Sequence, residues 1–331
     1  MPPLRIAVIG AGRLGGFHAQ KLAARQDVEL VAIVDPIQAS RERVAAQCHC
    51  EPLADYSGLL DRLDAAIIAT PTSLHHQIAR ECLEAGLPLL VEKPLCTTLA
   101  DADELVSIAR RRGVVLQVGH VERFNPAFHA AASQIRNPKY IDAVRASGFT
   151  FRSTDVGVVL DLMIHDIDLV LSLVGNMPCK VEALGASVVG GHEDVANARL
   201  EFPNGCVASL SASRVSYEAV RRMHVWSPDA FVAVDFAART ATAVRPSETL
   251  KNRRFSVDSL TPEQLEHCRV HFAEEHLPKE CQTFDAVDAL ALEIGDFIES
   301  VRTGRPPRVT GQSGRDALAV AQQILACINA H

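Results

Sequence analysis

Apolar positions along the chain follow two regimes. From residue 4 to about 120, short β-branched runs alternate with segments of helical period. The runs "LRIAVI" (4–9), "VELVAIVD" (28–35), "LDAAIIAT" (63–70), "PLLVEKP" (88–94) and "VVLQVGH" (114–120) read as strands. Helical patterns follow the first run and span about 73–85 and 99–112. Strands alternating with helices imply a parallel, doubly wound sheet with crossover helices on both faces. After Arg123 the regime changes. One long helix is expected at about 158–174, then strands at 181–189, 195–202, 206–213, 222–226, 231–236 and 240–244. Ala196, Ala198, Leu200 and Phe202 alternate with Asn197, Arg199 and Glu201, the signature of a half-buried strand. Asn204-Gly205 between two runs is a strong hairpin signal. Helical period returns at 285–302 and 314–328, and the polar stretch 245–284 reads as loop and short helix. The fold class expected is an α/β first domain (1–121) and an α+β second domain (122–331) with a large, mostly antiparallel open sheet. The strands at 181–189 and 206–213 look apolar or small on both faces, with Val188, Val189, Val207 and Leu210 prominent. Two such faces need two covers, which predicts a homodimer or homotetramer through that sheet.

Within the long helix, "DLMIHDIDLV" (161–170) places Asp161, His165 and Asp168 at i, i+4 and i+7, on one stripe. Leu160, Met163, Ile164, Ile167, Leu171 and Val174 fall on the broad opposite side, a core-facing pattern. Taken alone, the stripe is equally well a solvated face.

Composition narrows the class. The 331 residues are 48% hydrophobic and 22% charged, ordinary for a globular chain of two domains. A formal net charge of −7 argues against nucleic acid or an anionic membrane as the main partner. No apolar run approaches the roughly 18 residues of a membrane helix. "MPPLRIAVIG" has no charged n-region or cleavage site and is expected to carry no targeting peptide. Nine cysteines without framework spacing suggest reduced thiols in the cytoplasm. "CHC" at 48–50 lacks the further ligands of a structural zinc site, so no metal is expected.

Chemistry enters at the strand ends. Gly10-Ala11-Gly12-Arg13-Leu14-Gly15 lies between a strand and a helix, the context a dinucleotide fingerprint requires. Gly10 permits the tight turn, Gly12 admits a pyrophosphate, and Gly15 allows close helix packing. Asp35 closes the second strand, where an acid takes the ribose hydroxyls; this predicts NAD, with Arg41 and Arg43 leaving room for NADP. Ligands bind at the carboxyl ends of such strands. Those ends hold Thr70-Pro71-Thr72, Glu92-Lys93-Pro94 and Gly119-His120, and His75 follows in the next helix; these are the further candidates for the cofactor. Lys93 ends a strand expected to be buried on both faces; a surface lysine in a loop is the plain alternative. Lys93, His120, Arg123, Asn125, Asp161 and His165 can converge in one cleft. A lysine, a histidine and a carboxylate suit hydride removal from a secondary alcohol: His165 takes the hydroxyl proton, Asp161 orients the ring, and Lys93 stabilises developing alkoxide charge.

The chain resembles the Gfo/Idh/MocA oxidoreductases. The likeness spans nearly all of it and rests on Gly10–Gly15 with His18, Glu92-Lys93-Pro94, "GHVERFNPA" (119–127), Asp161-x-x-x-His165 and "GRPPRVTGQSGRDAL" (304–318). The resemblance implies that Lys93, Asp161 and His165 are the catalytic group, and that the open sheet is an oligomer interface. Met163 departs from the glycine many relatives have there. "GHVERFNPA" and "DLMIHDIDL" look most similar to a branch that oxidises UDP-linked N-acetylhexosamines at C3. A nucleotide sugar needs cations for its diphosphate, and Arg123 and Arg152 are the candidates, with Asn125 for sugar hydroxyls. Arginines that only brace the two domains are the plain alternative. Oxidation of a free inositol or sugar is the competing activity, and a dinucleotide-binding sensor without turnover is the reading from another class.

Overall fold

The computed structural model describes residues 2–151 and 156–330. The candidate Arg152 lies outside the described residues. The chain divides into two compact units, Met1–Phe124 with Asp288–Ala319, and Asn125–Val287 with Val320–His331.

The first unit contains β1 (Leu4–Ile9), α1 (Arg13–Ala23), β2 (Val28–Val34), α2 (Gln38–Cys48), β3 (Glu51–Leu53), β4 (Ala65–Ile68), α3 (Thr72–Glu84), β5 (Leu89–Glu92), α4 (Leu99–Arg112) and β6 (Leu116–Gly119). All pairs are parallel, in the order β3-β2-β1-β4-β5-β6. The order reverses beside β1, and in such sheets a crevice opens there at the carboxyl ends. Strands β4 and β5 bury every residue and β1 its last four, as central strands covered on both faces must. Cys48 ends α2 and His49 takes a left-handed conformation (φ 55°) as its cap, so "CHC" is a helix end.

The second unit begins with α5 (Pro126–Ala132) and β7 (Tyr140–Ala146). A π-helical turn (Val159–Met163) leads into α6 (Ile164–Val174). Then come β8 (Lys180–Ala186), β9 (Val195–Glu201), β10 (Val207–Ser213), β11 (Val220–Trp226), β12 (Phe231–Asp235), β13 (Thr240–Val244), α7 (Glu248–Lys251), α8 (Pro262–His276) and β14 (Lys279–Thr283). Two further helices follow, α9 (Ala289–Thr303) and α10 (Gly311–Asn329). The eight-stranded sheet runs β14-β13-β12-β11-β7-β10-β9-β8, antiparallel except for β7 with β10. The hairpin at Asn204-Gly205 forms, with Gly205 at φ 78° and Asn204 Oδ1 accepting from Cys206 N.

Four expectations need correction. The chain does not stay in its second unit after residue 122. Helix α9 returns to the first, where Ile294, Phe297 and Ile298 share a core with Ile6, Leu22 and Ile33; helical period alone cannot tell which sheet a helix covers. Strand β7 lies near the middle of the sheet and has no clear pattern in the sequence, because Arg145 occupies a buried position of its alternation. Residues 245–284 contain a 15-residue helix, α8, closed by a Thr261/Gln264 capping box. Finally, the strand expected at 181–189 ends at Ala186, while β10 is apolar or small on both faces. Ala208, Leu210 and Ala212 point to the core, and Val207, Ser209, Ser211 and Ser213 to the other face. Val188 and Val189 lie past the end of β8, in an exposed loop.

The segment carrying Asp161 also departs from its expected face. The π turn breaks the i, i+4, i+7 register before α6 begins, and Asp168 is buried rather than solvated. Leu160 and Leu171 are only half-buried. The acid with the clearest partner is Asp166. Arg145 Nε and Nη2 donate to its Oδ2 and Oδ1 at 3.0 and 2.9 Å, with both side chains out of water.

Candidate active site

The dinucleotide loop is built from backbone constraints. Gly10 has φ +107°, and a Cβ there would lie 2.4 Å from Ala69 O. A Cβ on Gly15 would lie 1.8 Å from Gly10 O, so only glycine lets α1 start this close to the β1 turn. A Cβ on Gly12 would meet nothing within 4 Å, which leaves open space over the amides at the start of α1. Arg13 and Leu14 form the first helical turn, Leu14 well exposed and Arg13 over the Phe17 ring.

Beside the loop lies a cavity of about 540 Å³, lined by Gly10, Gly12, Asp35, Ile37, Thr70 and Leu74 among others. Asp35 Oδ2 accepts from Ala11 N and Oδ1 from Ile37 N, both at 2.8 Å. Its carboxylate is therefore fixed at the end of β2, next to the loop. Thr70 Oγ1 is buried with no protein partner, and Pro71 and Thr72 open α3 at the same edge. Fixed acid, uncrowded glycine and an orphan hydroxyl fit an adenine dinucleotide. Arg41 donates to Asp35 O and Pro36 O, and Arg43 to Ala11 O. Both guanidiniums are held by backbone carbonyls and keep their charge, so they soften the repulsion between Asp35 and a 2′-phosphate without removing it. kcat/KM for NAD is therefore expected to exceed that for NADP by more than about tenfold, since placing like charges together costs several kcal/mol. Steady-state comparison of the two cofactors checks this, and a preference for NADP would overturn the role of Asp35.

Lys93 is half-buried at the tip of β5. Its neighbours on the first unit are held by internal contacts. His75 is buried, with Nδ1 2.9 Å from Pro94 O and Nε2 2.9 Å from Thr70 O. It clamps the turns after β4 and β5 together. Burial pushes its pKa down, against the pull of the two carbonyls. Glu92 Oε1 lies 2.7 Å from His18 Nε2. Thus His75 and Glu92, both cofactor candidates, make contacts that brace the strand tips. His120 is buried at the tip of β6 and pushed down to about 3, by burial first and then by the charges of Lys93 and Arg123. It is neutral at physiological pH. Arg123 Nη2 reaches Arg308 O at 3.5 Å, and Arg308 Nη1 donates to Arg123 O at 3.2 Å.

In the second unit Asp161 lies in the π turn and His165 in the first turn of α6, both half-buried. Asn125 caps α5, its Oδ1 accepting from Ala127 N at 3.1 Å. A residue the sequence did not single out, Glu193, supports this segment. Its Oε1 accepts from Val159 N at 3.1 Å, and its backbone O from Val158 N at 3.0 Å. A carboxylate at a helical N-terminus is electrostatically favoured. Gly157 makes room, because any Cβ there would collide with that carboxylate. No local pattern could reveal a cap that comes from 34 residues away.

Residues 4–120 match the model of an oxidoreductase family with an NAD-binding Rossmann fold, and residues 127–229 that of the GFO/IDH/MocA C-terminal domain. The UDP-N-acetylglucosamine 3-dehydrogenase of Acidithiobacillus ferrooxidans is 36% identical over 99% of this chain and 98% of its own. Its solved structure superposes with a TM-score of 0.86 at 35% identity, covering 100% of this chain and 99% of that one. The scyllo-inositol 2-dehydrogenase (NAD(+)) of Bacillus subtilis is 29% identical over 93% of this chain and 89% of its own. The chain belongs to the Gfo/Idh/MocA family of NAD-binding oxidoreductases.

Proposed function

We propose that this enzyme oxidises the C3 hydroxyl of a UDP-linked N-acetylhexosamine, giving a 3-keto sugar. The observation that carries the reading is the end-to-end likeness, at 36% identity, to a UDP-N-acetylglucosamine 3-dehydrogenase. Bound NAD would be held by Gly10, Gly12, Gly15, Asp35 and Thr70 and would supply the hydride acceptor. The chain's own work is to move a proton and stabilise charge. His165 takes the hydroxyl proton as the C–H bond is lost. His120 is excluded from that role, because a histidine pushed down to about 3 is too weak a base near neutral pH. Asp161 orients the His165 ring. The Lys93 ammonium stabilises the oxygen as it becomes alkoxide-like and then carbonyl. Arg123 is the described cation proposed for the diphosphate, and Asn125 offers its amide to sugar hydroxyls.

A second reading is oxidation of an inositol, favoured by the scyllo-inositol relative, which also spans most of the chain. A panel of UDP-sugars, inositols and free sugars, followed by NADH absorbance, separates the two. UDP-N-acetylglucosamine is expected to give the highest kcat/KM, and UDP alone to inhibit competitively with the sugar. Efficient turnover of a free inositol with no effect of UDP would move the assignment to the polyol class. Tight NAD binding without turnover of any member of the panel would favour a sensor.

The enzyme acts in the cytoplasm as a homodimer or homotetramer, assembled through the outer face of the eight-stranded sheet. Nine free cysteines support the reducing compartment. Among the described residues no helix is long and apolar enough to cross a membrane. On the sheet, α5 and α6 pack against strands β7, β10, β12 and β13. The face opposite Ile141 and Val225 carries Tyr140, Trp226 and Phe231, with ring centroids 5.2 and 5.0 Å apart in succession. Tyr140 and Trp226 are each 38% exposed. Adjoining aromatics on an open sheet suit a second copy of the same face. Sedimentation velocity at micromolar concentration is expected to show a dimer or tetramer, and Trp226→Lys to shift it toward monomer. A monomeric wild type would refute the assignment.

A further inference from the structure

The first unit contains a group of ionisable side chains that the proposed chemistry does not use. His18, Glu92 and Glu293 are all buried, and one ligand atom from each lies within 4.8 Å of the other two. They come from three distant elements. His18 sits on α1, one turn beyond Gly15. Glu92 is the last residue of β5, directly before Lys93. Glu293 is on α9, the helix that returns to this unit.

The contacts have a direction. Glu92 Oε1 lies 2.7 Å from His18 Nε2, and Glu92 Oε2 accepts from Lys93 N at 3.3 Å. One carboxylate thus bridges the helix of the dinucleotide loop and the backbone of Lys93. Its seat is shaped to fit: a Cβ on Gly119 would lie 2.7 Å from Glu92 Oε2. Glu293 is brought in from behind, and Gln117 Nε2 fixes its main chain by donating to Glu293 O at 3.1 Å. Buried ionisable groups are costly unless they are tied together, so three of them in one place are tightly constrained in position.

We propose that His18, Glu92 and Glu293 form one buried positioning unit that sets Lys93 relative to the dinucleotide loop. The three act through Lys93 and touch neither cofactor nor substrate. The proposal rests on the reading of Lys93 as a catalytic residue. Removing any member lets the β5 tip relax, and misplacing a reacting group lowers turnover more than it lowers binding.

The test uses the full chain with NAD and UDP-N-acetylglucosamine, or whichever sugar the panel shows to be oxidised, well below the melting temperature. Glu293→Ala and His18→Ala are each expected to lower kcat per folded molecule by about tenfold or more, with Kd for NAD changed less than about threefold. Glu293→Gln, which keeps size and hydrogen bonding, should recover most of the loss. The double alanine variant should be no slower than the slower single one, as expected for residues that act as a unit. If Glu293→Ala does not fold, His18→Asn carries the test, with the same expected fall. Unchanged kcat beside a lowered melting temperature would show a merely structural role and overturn the proposal, as would losses that multiply in the double variant. Lys93→Ala in the same series separates the failures. Wild-type turnover in Lys93→Ala removes the reading of Lys93 and this proposal with it. An inactive Lys93→Ala beside fully active His18 and Glu293 variants overturns the positioning unit alone.

Discussion

Lys93→Ala and His165→Ala are each expected to lower kcat by roughly 10²-fold or more, because positioned acid–base and charge-stabilising groups contribute about 10²–10⁴. Binding of NAD should survive both changes. The groups proposed to hold the dinucleotide, Gly10, Gly12, Asp35 and Thr70, line the cavity beside the glycine loop. His120, whose pKa is pushed down to about 3 by burial and by the charges of Lys93 and Arg123, is not expected to replace the charge of Lys93 or the proposed base His165. Lys93→Met keeps the bulk and removes the charge, and should be nearly as slow as the alanine variant. Asp161→Asn should lower kcat at nearly constant melting temperature, since it keeps the shape and removes the charge proposed to support His165. Steady-state rates, Kd from nicotinamide fluorescence and thermal melts on the same preparations decide the matter. Near wild-type turnover in either alanine variant would strip that residue of its role.

What the sequence disclosed follows the range of the interactions concerned. The glycine loop is legible because its constraints are local. Gly10 and Gly15 press on the turn they belong to, and Asp35 bonds amides beside that turn. Central strands such as β4 and β5 are legible because burial on both faces leaves continuous apolar runs. Strand β7 is not, because Arg145 points into the core and is neutralised there by a helix 21 residues on. The bridge from His18 to Glu92 spans 74 positions, and α9 closes back on a sheet laid down at the start of the chain. Periodicity identified α9 as a helix but carries no address. The stripe of Asp161, His165 and Asp168 assumed a regular α-helix, and the π turn at Val159–Met163 removes that premise. A supporting residue such as Glu193 has no local signature at all, since a cap can come from any part of the chain.

Asp166→Ala is expected to cost about 3–5 kcal/mol of stability in the second unit, the range for breaking one partner of a buried ion pair. Asp166 and Arg145 are about 95% removed from solvent and joined by two parallel hydrogen bonds at 3.0 and 2.9 Å. Deleting the carboxylate removes both of those hydrogen bonds from a guanidinium between α6 and β7, and the Phe236 ring 5.7 Å away is a weaker attraction. A cation over an aromatic face contributes about 0.5–2 kcal/mol and does not replace the carboxylate. For a unit of this size the melting temperature should fall by on the order of 10 °C. The pair itself need not be stabilising relative to an apolar one, because both charges were dehydrated when it formed. Arg145→Met combined with Asp166→Leu should therefore recover most of what Asp166→Ala loses. A structural role also predicts that folded Asp166→Ala keeps its NAD affinity, since the dinucleotide loop belongs to the other unit. Thermal and denaturant melts of the single and double variants test the argument. An Asp166→Ala variant that melts within a degree or two of wild type would show that the guanidinium finds water or another acceptor, and that the pair does not hold α6 to the sheet.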